Sequence, residues 1–259
     1  MKLRQMNFRL IGVTGIVLSA LTMYACSSTP EKKPESAQEL LQQGIKEIKL
    51  HSSTQAKVFF QQVLEDFPDS KERIKALLLL ARTYYVDKEF EEAKFHFQKF
   101  IELYPAHRQA DRAQYFKAMS DFQMIDLASR DQSHTQEALE GFKQFINRFP
   151  KSQFLENAKK NQRECELKLA QNVFEIGKFY YRTGSYQSAI IRLKSLVVGN
   201  SKQKFIDEAM FLIAESYYYE QNFNEASVSY KKLLGKYPRS QFALQAKNRL
   251  RTLRKKPTS

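Results

Sequence analysis

Glycine is scarce in this chain, with 8 among 259 residues. A phosphate-cradling loop needs clustered glycines, and no P-loop or GxGxxG run is present. No serine stands in a GxSxG turn. The four histidines, His51, His96, His107 and His134, fall in no HExxH or other metal spacing. There are two cysteines, Cys26 and Cys165, and no pair with zinc-site spacing. Cys165, inside the helical pattern Asn-Gln-Arg-Glu-Cys-Glu-Leu-Lys-Leu, reads as a small buried hydrophobe. Glu164 and Glu166 flank it, but a spacing of two puts them on different helix faces. Alternating strand patterns bounded by hairpin turns are absent too. These absences predict a non-catalytic, all-α chain with no cofactor and no metal, unless distant residues meet in a site that no motif marks.

Apolar runs are short. The longest, from Leu10 to about Leu21, is broken by Gly12 and Gly15 and bounded by Arg9 and Pro30. A membrane span needs about 20 apolar residues. The run follows the basic start Met-Lys-Leu-Arg-Gln-Met-Asn-Phe-Arg and leads to Met23-Tyr24-Ala25-Cys26-Ser27-Ser28. Basic region, apolar region, small residue, cysteine: this order is that of a bacterial lipoprotein export signal. On this reading residues 1–25 are removed and Cys26 becomes the acylated (palmitate-bearing) N-terminus, tethered to a membrane without spanning it. An uncleaved membrane helix and a plain cleaved signal with a chance cysteine are the alternatives. Residues 26–35, with Pro30 and Pro34, read as a flexible tether.

Acidic charge is outnumbered, and the formal net charge is +14. The signal carries Lys2, Arg4 and Arg9 and no acid, so the mature chain is about +11. A basic protein invites a nucleic-acid reading, but export argues against that partner. Many charges alternate, as in Lys71-Glu72-Arg73, which is the pattern of a solvated helical face. The C-terminal cluster Lys247, Arg249, Arg251, Arg254, Lys255 and Lys256 departs from it. That cluster suits anionic lipid, an acidic partner surface, or a frayed solvated tail.

What the chain does have is repetition. An aromatic residue, proline and a short polar turn recur as Asp66-Phe67-Pro68-Asp69-Ser70, Leu103-Tyr104-Pro105-Ala106-His107, Arg148-Phe149-Pro150-Lys151-Ser152 and Lys236-Tyr237-Pro238-Arg239-Ser240, with a degenerate copy at Val198-Gly199-Asn200-Ser201. Amphipathic helices opening with an aromatic and alanine precede these turns, as at Phe90-Glu91-Glu92-Ala93 and Phe223-Asn224-Glu225-Ala226. Helices with alanine and tyrosine at close-packing positions follow them. Proline stops each second helix, because it lacks the N–H and clashes with the preceding turn. The spacing exceeds the bare tetratricopeptide period of about 34 residues, which longer helices or loops accommodate. It predicts a tetratricopeptide superhelix of about five helix-turn-helix repeats, 36–70, 71–107, 108–152, 153–201 and 202–240, plus a closing helix from about 241. The solenoid is expected over 36–253 as one stacked core, and 254–259 as a basic tail.

Such stacks bind peptides along the surface lined by their first helices. The candidate groove residues are Tyr84, Tyr85, Tyr115 and Phe116, with Tyr180, Tyr181, Tyr217 and Tyr218 further along. More than half of these are expected to be core, and the remainder free to stack on a peptide. The third repeat carries a polar insertion from Asp126 to Thr135, containing Arg130, Asp131 and Gln132. It is either a functional loop or a tolerated surface insertion.

Three stretches carry a resemblance: Phe100-Ile101-Glu102-Leu103-Tyr104-Pro105-Ala106-His107 with Ala110, Asp111, Ala113, Gln114 and Tyr115; Arg130-Asp131-Gln132; and Leu169-Ala170 with Phe179-Tyr180-Tyr181-Arg182-Thr183-Gly184-Ser185-Tyr186 and Ala189-Ile190-Ile191-Arg192. Over about residues 36–240 the chain resembles the BamD family of outer-membrane assembly lipoproteins. The chain departs from that family in its lipobox, in Val198-Gly199 where Tyr-Pro is usual, and in Lys49-Leu50-His51-Ser52 where a glycine turn is usual. The resemblance implies a periplasmic-face, lipid-anchored subunit. Its C-terminal repeats would hold the barrel protein BamA beside other assembly lipoproteins, and its N-terminal repeats would receive unfolded outer-membrane proteins. Arg192 matches a family arginine that faces an acidic BamA residue, and Ser27 after the cysteine fits outer-membrane sorting. The alternative is a periplasmic tetratricopeptide adaptor of the Tol or peptidoglycan-synthesis systems. Its C-terminal repeats look like Tyr230–Ser240, but no sustained heptad precedes Ser36. For a peptidoglycan-binding lipoprotein, a recognisable sugar-binding motif is missing.

Overall fold

The computed structural model describes residues 36–127, 130–199 and 204–254. The expected signal, the tether with Cys26, and the tail beyond Arg254 lie outside the described residues. The described residues form α1 (Ala37–Lys49), α2 (Ser53–Asp66), α3 (Glu72–Val86), α4 (Phe90–Leu103), α5 (Ala110–Gln123), α6 (Ser133–Arg148), α7 (Leu155–Arg182), α8 (Tyr186–Gly199), α9 (Ile206–Tyr219), α10 (Phe223–Lys236) and α11 (Ala243–Arg254). Each helix packs on the next in sequence, and α1 touches α3, α5 touches α7, and α7 touches α9. The arrangement is five antiparallel pairs and a closing helix, an all-α tetratricopeptide stack.

Local chemistry sets the helix ends. Ser36 and Glu39 form a reciprocal capping box at the start of α1. The second helices of repeats one, two, three and five end at Phe67, Tyr104, Phe149 and Tyr237, with φ/ψ of −130/58, −132/55, −126/58 and −131/64. Each precedes a proline, whose ring bars the helical region to the residue before it. The turns inside repeats one, two, four and five share another device. His51, Lys88, Gly184 and Gln221 take φ of 58, 65, 77 and 59. The next amide bonds back to the carbonyl five residues earlier: Ser52 to Glu47, Glu89 to Tyr84, Ser185 to Tyr180 and Asn222 to Tyr217. This is the Schellman closure, in which glycine is the easiest left-handed residue. Only repeat four uses glycine. His51 therefore makes the glycine-type turn that the sequence of repeat one lacks.

Alanines at 1 % exposure or less (Ala56, Ala76, Ala81, Ala93, Ala113, Ala118, Ala138, Ala158, Ala189, Ala209, Ala214, Ala226 and Ala246) line the helix–helix contacts. Aromatics fill the spaces between, with Phe60, Phe97, Phe100, Phe142, Phe145 and Tyr230 fully buried. Gly177 in α7 allows the closest approach, since a Cβ there would overlap the Leu193 side chain. The core has four segments: α1–α3, α3–α5, α5–α7 and α7–α11. At 28 residues, α7 is twice the usual length here and belongs to the last two segments.

The insertion in repeat three is shorter than its composition suggests. Ser133, His134 and Thr135 belong to α6, because the Asp131 carboxylate accepts from both the amide and the hydroxyl of Ser133 at the helix start.

Candidate functional site

Along α3, Lys71, Lys75, Leu78, Arg82 and Tyr85 recur at helical spacing on one face. The start of α5 presents Arg108, Arg112 and Phe116. Between these helices opens a groove of about 700 Å³. Its apolar floor includes Ile74, Leu78, Leu79, Phe97, Phe116 and Phe154, and Tyr85 and Val86 stand at the α3 end. The Tyr85 ring meets the Phe116 ring edge-on at 5.1 Å. Burial raises the Tyr85 phenol above its ordinary value, so it stays a neutral hydroxyl at neutral pH. Phe154 stacks on Tyr115 at 4.6 Å and lies beneath the Arg112 guanidinium, 5.8 Å from the ring centroid.

The lining contains Lys71, Lys75, Arg82, Arg108 and Arg112 and no acid. Lys75, Arg82 and Arg108 make no ion pair among the described residues, and only Lys71 approaches a carboxylate, Glu72 at 4.0 Å. An apolar trough rimmed by cations, of which Lys71 alone has an acid beside it, offers two complementary interactions: burial for aromatic or aliphatic side chains, and attraction for carboxylates.

Of the candidate aromatics, the structure brings Tyr85 and Phe116 together in this groove. Tyr115 is 7 % exposed and acts as packing beneath it. Tyr84 turns away: its ring stacks on His96 at 5.2 Å, its hydroxyl accepts from Gln61 Nε2 at 3.2 Å, and the Lys57 ammonium lies over it. Tyr217 is buried and Tyr180 and Tyr181 half-buried in the later repeats. Sequence reasoning missed Phe154 and the five cations. The i, i+4, i+11 recurrence of Lys71, Lys75 and Arg82 was the available signal.

Arg130, Asp131 and Gln132 are spent within their own loop. Arg130 pairs with Asp126 at 2.7 Å, which holds that carboxyl below its ordinary value. Gln132 is buried, with Nε2 facing the carbonyls of Leu127, Arg130 and Asp131 and Oε1 accepting from the Thr135 hydroxyl. Arg192 is exposed on α8 beside Ile191, which is 70 % exposed.

Two buried acids stand apart from the groove. Asp121 on α5, 2 % exposed, ion-pairs with Lys94 at 2.6 Å, and Lys94 also reaches Glu137. Burial pushes the Asp121 carboxyl up to about 6 despite that ammonium. Asp121, His134 and Glu137 have metal-ligand geometry, but the Lys94 ammonium already supplies their positive charge. Glu215 on α9, 4 % exposed, receives the Arg249 fork at 2.8 Å on each oxygen and a hydrogen bond from the Tyr230 hydroxyl.

The chain is 27 % identical over 207 residues to the outer membrane protein assembly factor BamD of Caulobacter vibrioides, covering 78 % of this chain and 68 % of the relative. The BamD of Neisseria gonorrhoeae is 23 % identical over 88 % of this chain and 91 % of its own length. That of Pasteurella multocida is 24 % identical, with 81 % and 84 % covered. The sequence profile named YfiO, described as an outer membrane lipoprotein, matches residues 33–226. That match spans the first four repeats and reaches into the fifth, and the chain belongs to the BamD (YfiO) family of outer membrane lipoproteins.

Proposed function

We propose that this chain is a non-catalytic subunit of the outer-membrane β-barrel assembly machinery. It sits on the periplasmic face of the outer membrane, anchored through lipid on Cys26. The C-terminal repeats, with Arg192 exposed on α8, bind a BamA-like barrel protein beside other assembly lipoproteins. The groove between α3 and α5 receives unfolded segments of outer-membrane proteins. Among the described residues no helix is long and apolar enough to cross a membrane, which is compatible with anchoring from outside. The Tol and peptidoglycan adaptor reading is not favoured, because the relatives above are assembly factors.

The observation that carries the client-binding role is the acid-free rim around an apolar floor. Unfolded barrel segments bring aromatic side chains, and a chain end brings a carboxylate. Both interactions act at equilibrium, so the groove holds an extended segment without an energy source. Fluorescence anisotropy with a labelled peptide ending in an aromatic residue tests this. Binding should weaken when its C-terminus is amidated and when Arg82 and Arg112 are both changed to glutamate. Equal affinity in all cases would remove the groove from the mechanism. Arg192→Glu should reduce co-purification of the barrel subunit from envelope membranes at moderate salt. Intact mass should show a chain beginning at Cys26 with added acyl mass.

A further inference from the structure

From Ala226 to Ser259 the sequence holds ten lysines and arginines and no aspartate or glutamate. The structure sharpens that imbalance. The acids of α9 are each taken up internally: Asp207 accepts from the Ser240 hydroxyl at 2.7 Å, Glu208 pairs with Lys178 at 2.6 Å, and Glu215 takes the Arg249 fork. Arg249 is thus the one described cation of this stretch that turns inward onto an acid. The three remaining on α11, Lys247, Arg251 and Arg254, are exposed, as are the four between Lys231 and Arg239. None of the seven forms an ion pair among the described residues. Glu220 and Glu225 are the nearby acids left exposed.

Each helix pairs its cations with an exposed apolar residue. On α11, Leu244 is 68 % exposed, and Lys247 and Arg251 follow it at i+3 and i+7 on the same face. On α10, Val228 is 57 % exposed, with Lys231 and Lys232 at i+3 and i+4. On a membrane surface apolar atoms enter the headgroup layer while cations meet the anionic lipid, and each helix offers one such apolar residue beside its cations.

We propose that the exposed faces of α10 and α11 bind an anionic phospholipid surface of the phosphatidylglycerol type. The barrel subunit is assigned above to the Arg192 side of the C-terminal repeats, on α8, and an acidic protein is the less favoured occupant of α10 and α11. In the groove between α3 and α5 an apolar floor seats a side chain beside its carboxylate; α10 and α11 each expose one apolar residue beside their cations, and the inward-turned guanidinium, Arg249, is committed to Glu215. The seven exposed cations, four lysines and three arginines, are spread over α10, α11 and the turn between them, which suits a diffuse negative lattice. This attraction is additional to any acyl anchor at Cys26.

The test is vesicle co-sedimentation of the full mature protein. Phosphatidylcholine vesicles are compared with vesicles containing one-third phosphatidylglycerol. An acyl chain enters both alike, so the affinity ratio isolates the charged faces. The anionic vesicles should bind more tightly, and less so as salt rises. A near-surface cation strengthens binding roughly fivefold. Lys247→Gln/Arg251→Gln/Arg254→Gln should therefore lower the ratio by about a hundredfold. Lys231→Gln/Lys232→Gln/Lys236→Gln, on α10, should lower it similarly and serves should the first variant misfold. Lys143→Gln/Lys151→Gln/Lys160→Gln, exposed elsewhere on the molecule, makes the same charge change and should leave the ratio nearly unaltered. Equal binding to both vesicle types would overturn the proposal. So would equal losses from all three variants, which would mean that net charge alone is read. A loss of barrel-subunit recovery with an unchanged vesicle ratio would reassign the surface to a protein.

Discussion

Two basic surfaces among the described residues differ in how the cations are backed. In the groove between α3 and α5 the cations rim a trough floored by Leu78, Phe116 and Phe154. On α10 and α11 they project from helix exteriors, with Leu244 and Val228 as single exposed apolar residues. A trough with an apolar floor can select a side chain, because burial rewards fit and excludes water. An exterior face selects only charge density. The same residue types thus support recognition of a segment in one place and attraction to a surface in the other. What separates them is whether neighbouring helices leave a gap or close it.

The largest effect is expected where the C-terminal region depends on one inward-facing cation. Arg249→Ala leaves Glu215 buried without its charge partner and removes the ion pair that ties α11 to α9. It should cost about 3 kcal/mol in urea unfolding, and the Arg249→Met/Glu215→Gln pair should cost less than Arg249→Ala alone. The groove region has a comparable dependence at Lys94. Lys94→Met should cost about 2 kcal/mol at pH 8, less than a fully buried pair because the lysine is partly solvated. Asp121 gives this loss a pH signature. Its folded-state value of about 6 lies above the ordinary 3.8, so the fold favours the protonated form. That stabilisation is complete below about pH 4 and is lost as pH rises through about 6. With Lys94 gone the folded-state value rises further, and the deficit of the variant should shrink on acidification. A deficit constant from pH 5 to 8 would mean that Asp121 is not the unpaired charge.

Smaller effects separate recognition from stability. Arg82→Glu/Arg112→Glu should weaken aromatic-peptide binding by about tenfold and cost at most about 1 kcal/mol in stability, from the contact of Arg112 with Phe154. Lys88→Gly, in the turn that follows the Tyr85 end of the groove, should stabilise by about 0.5–1 kcal/mol, because glycine adopts φ near 65° without the Cβ penalty. Gly184→Ala at the equivalent turn should have the opposite sign.

Much of this architecture was legible in the sequence, since it is written in local chemistry. Phe67-Pro68, Tyr104-Pro105, Phe149-Pro150 and Tyr237-Pro238 stop helices wherever they stand, and the alanines at helical spacing mark the close contacts. The groove was half legible. Tyr85 and Phe116 could be nominated from spacing, but Tyr84 carries the same pattern and turns to the opposite side. Arg130, Asp131 and Gln132 looked available in a polar insertion. Their side chains instead bond to Asp126, Ser133, Thr135 and the loop backbone, because a turn of that length must pair its own polar groups or leave them to water.

By itself the sequence determined the proline-stopped helix ends, the repeat count and the all-α class, because proline, glycine-type turns and apolar periodicity act within a few residues. Tertiary structure decided which tyrosine faces the groove, that Lys94 meets Asp121 and Arg249 meets Glu215, and which cations stay unpaired. Those outcomes depend on helices dozens of residues apart in the chain, brought together only when their apolar faces stack.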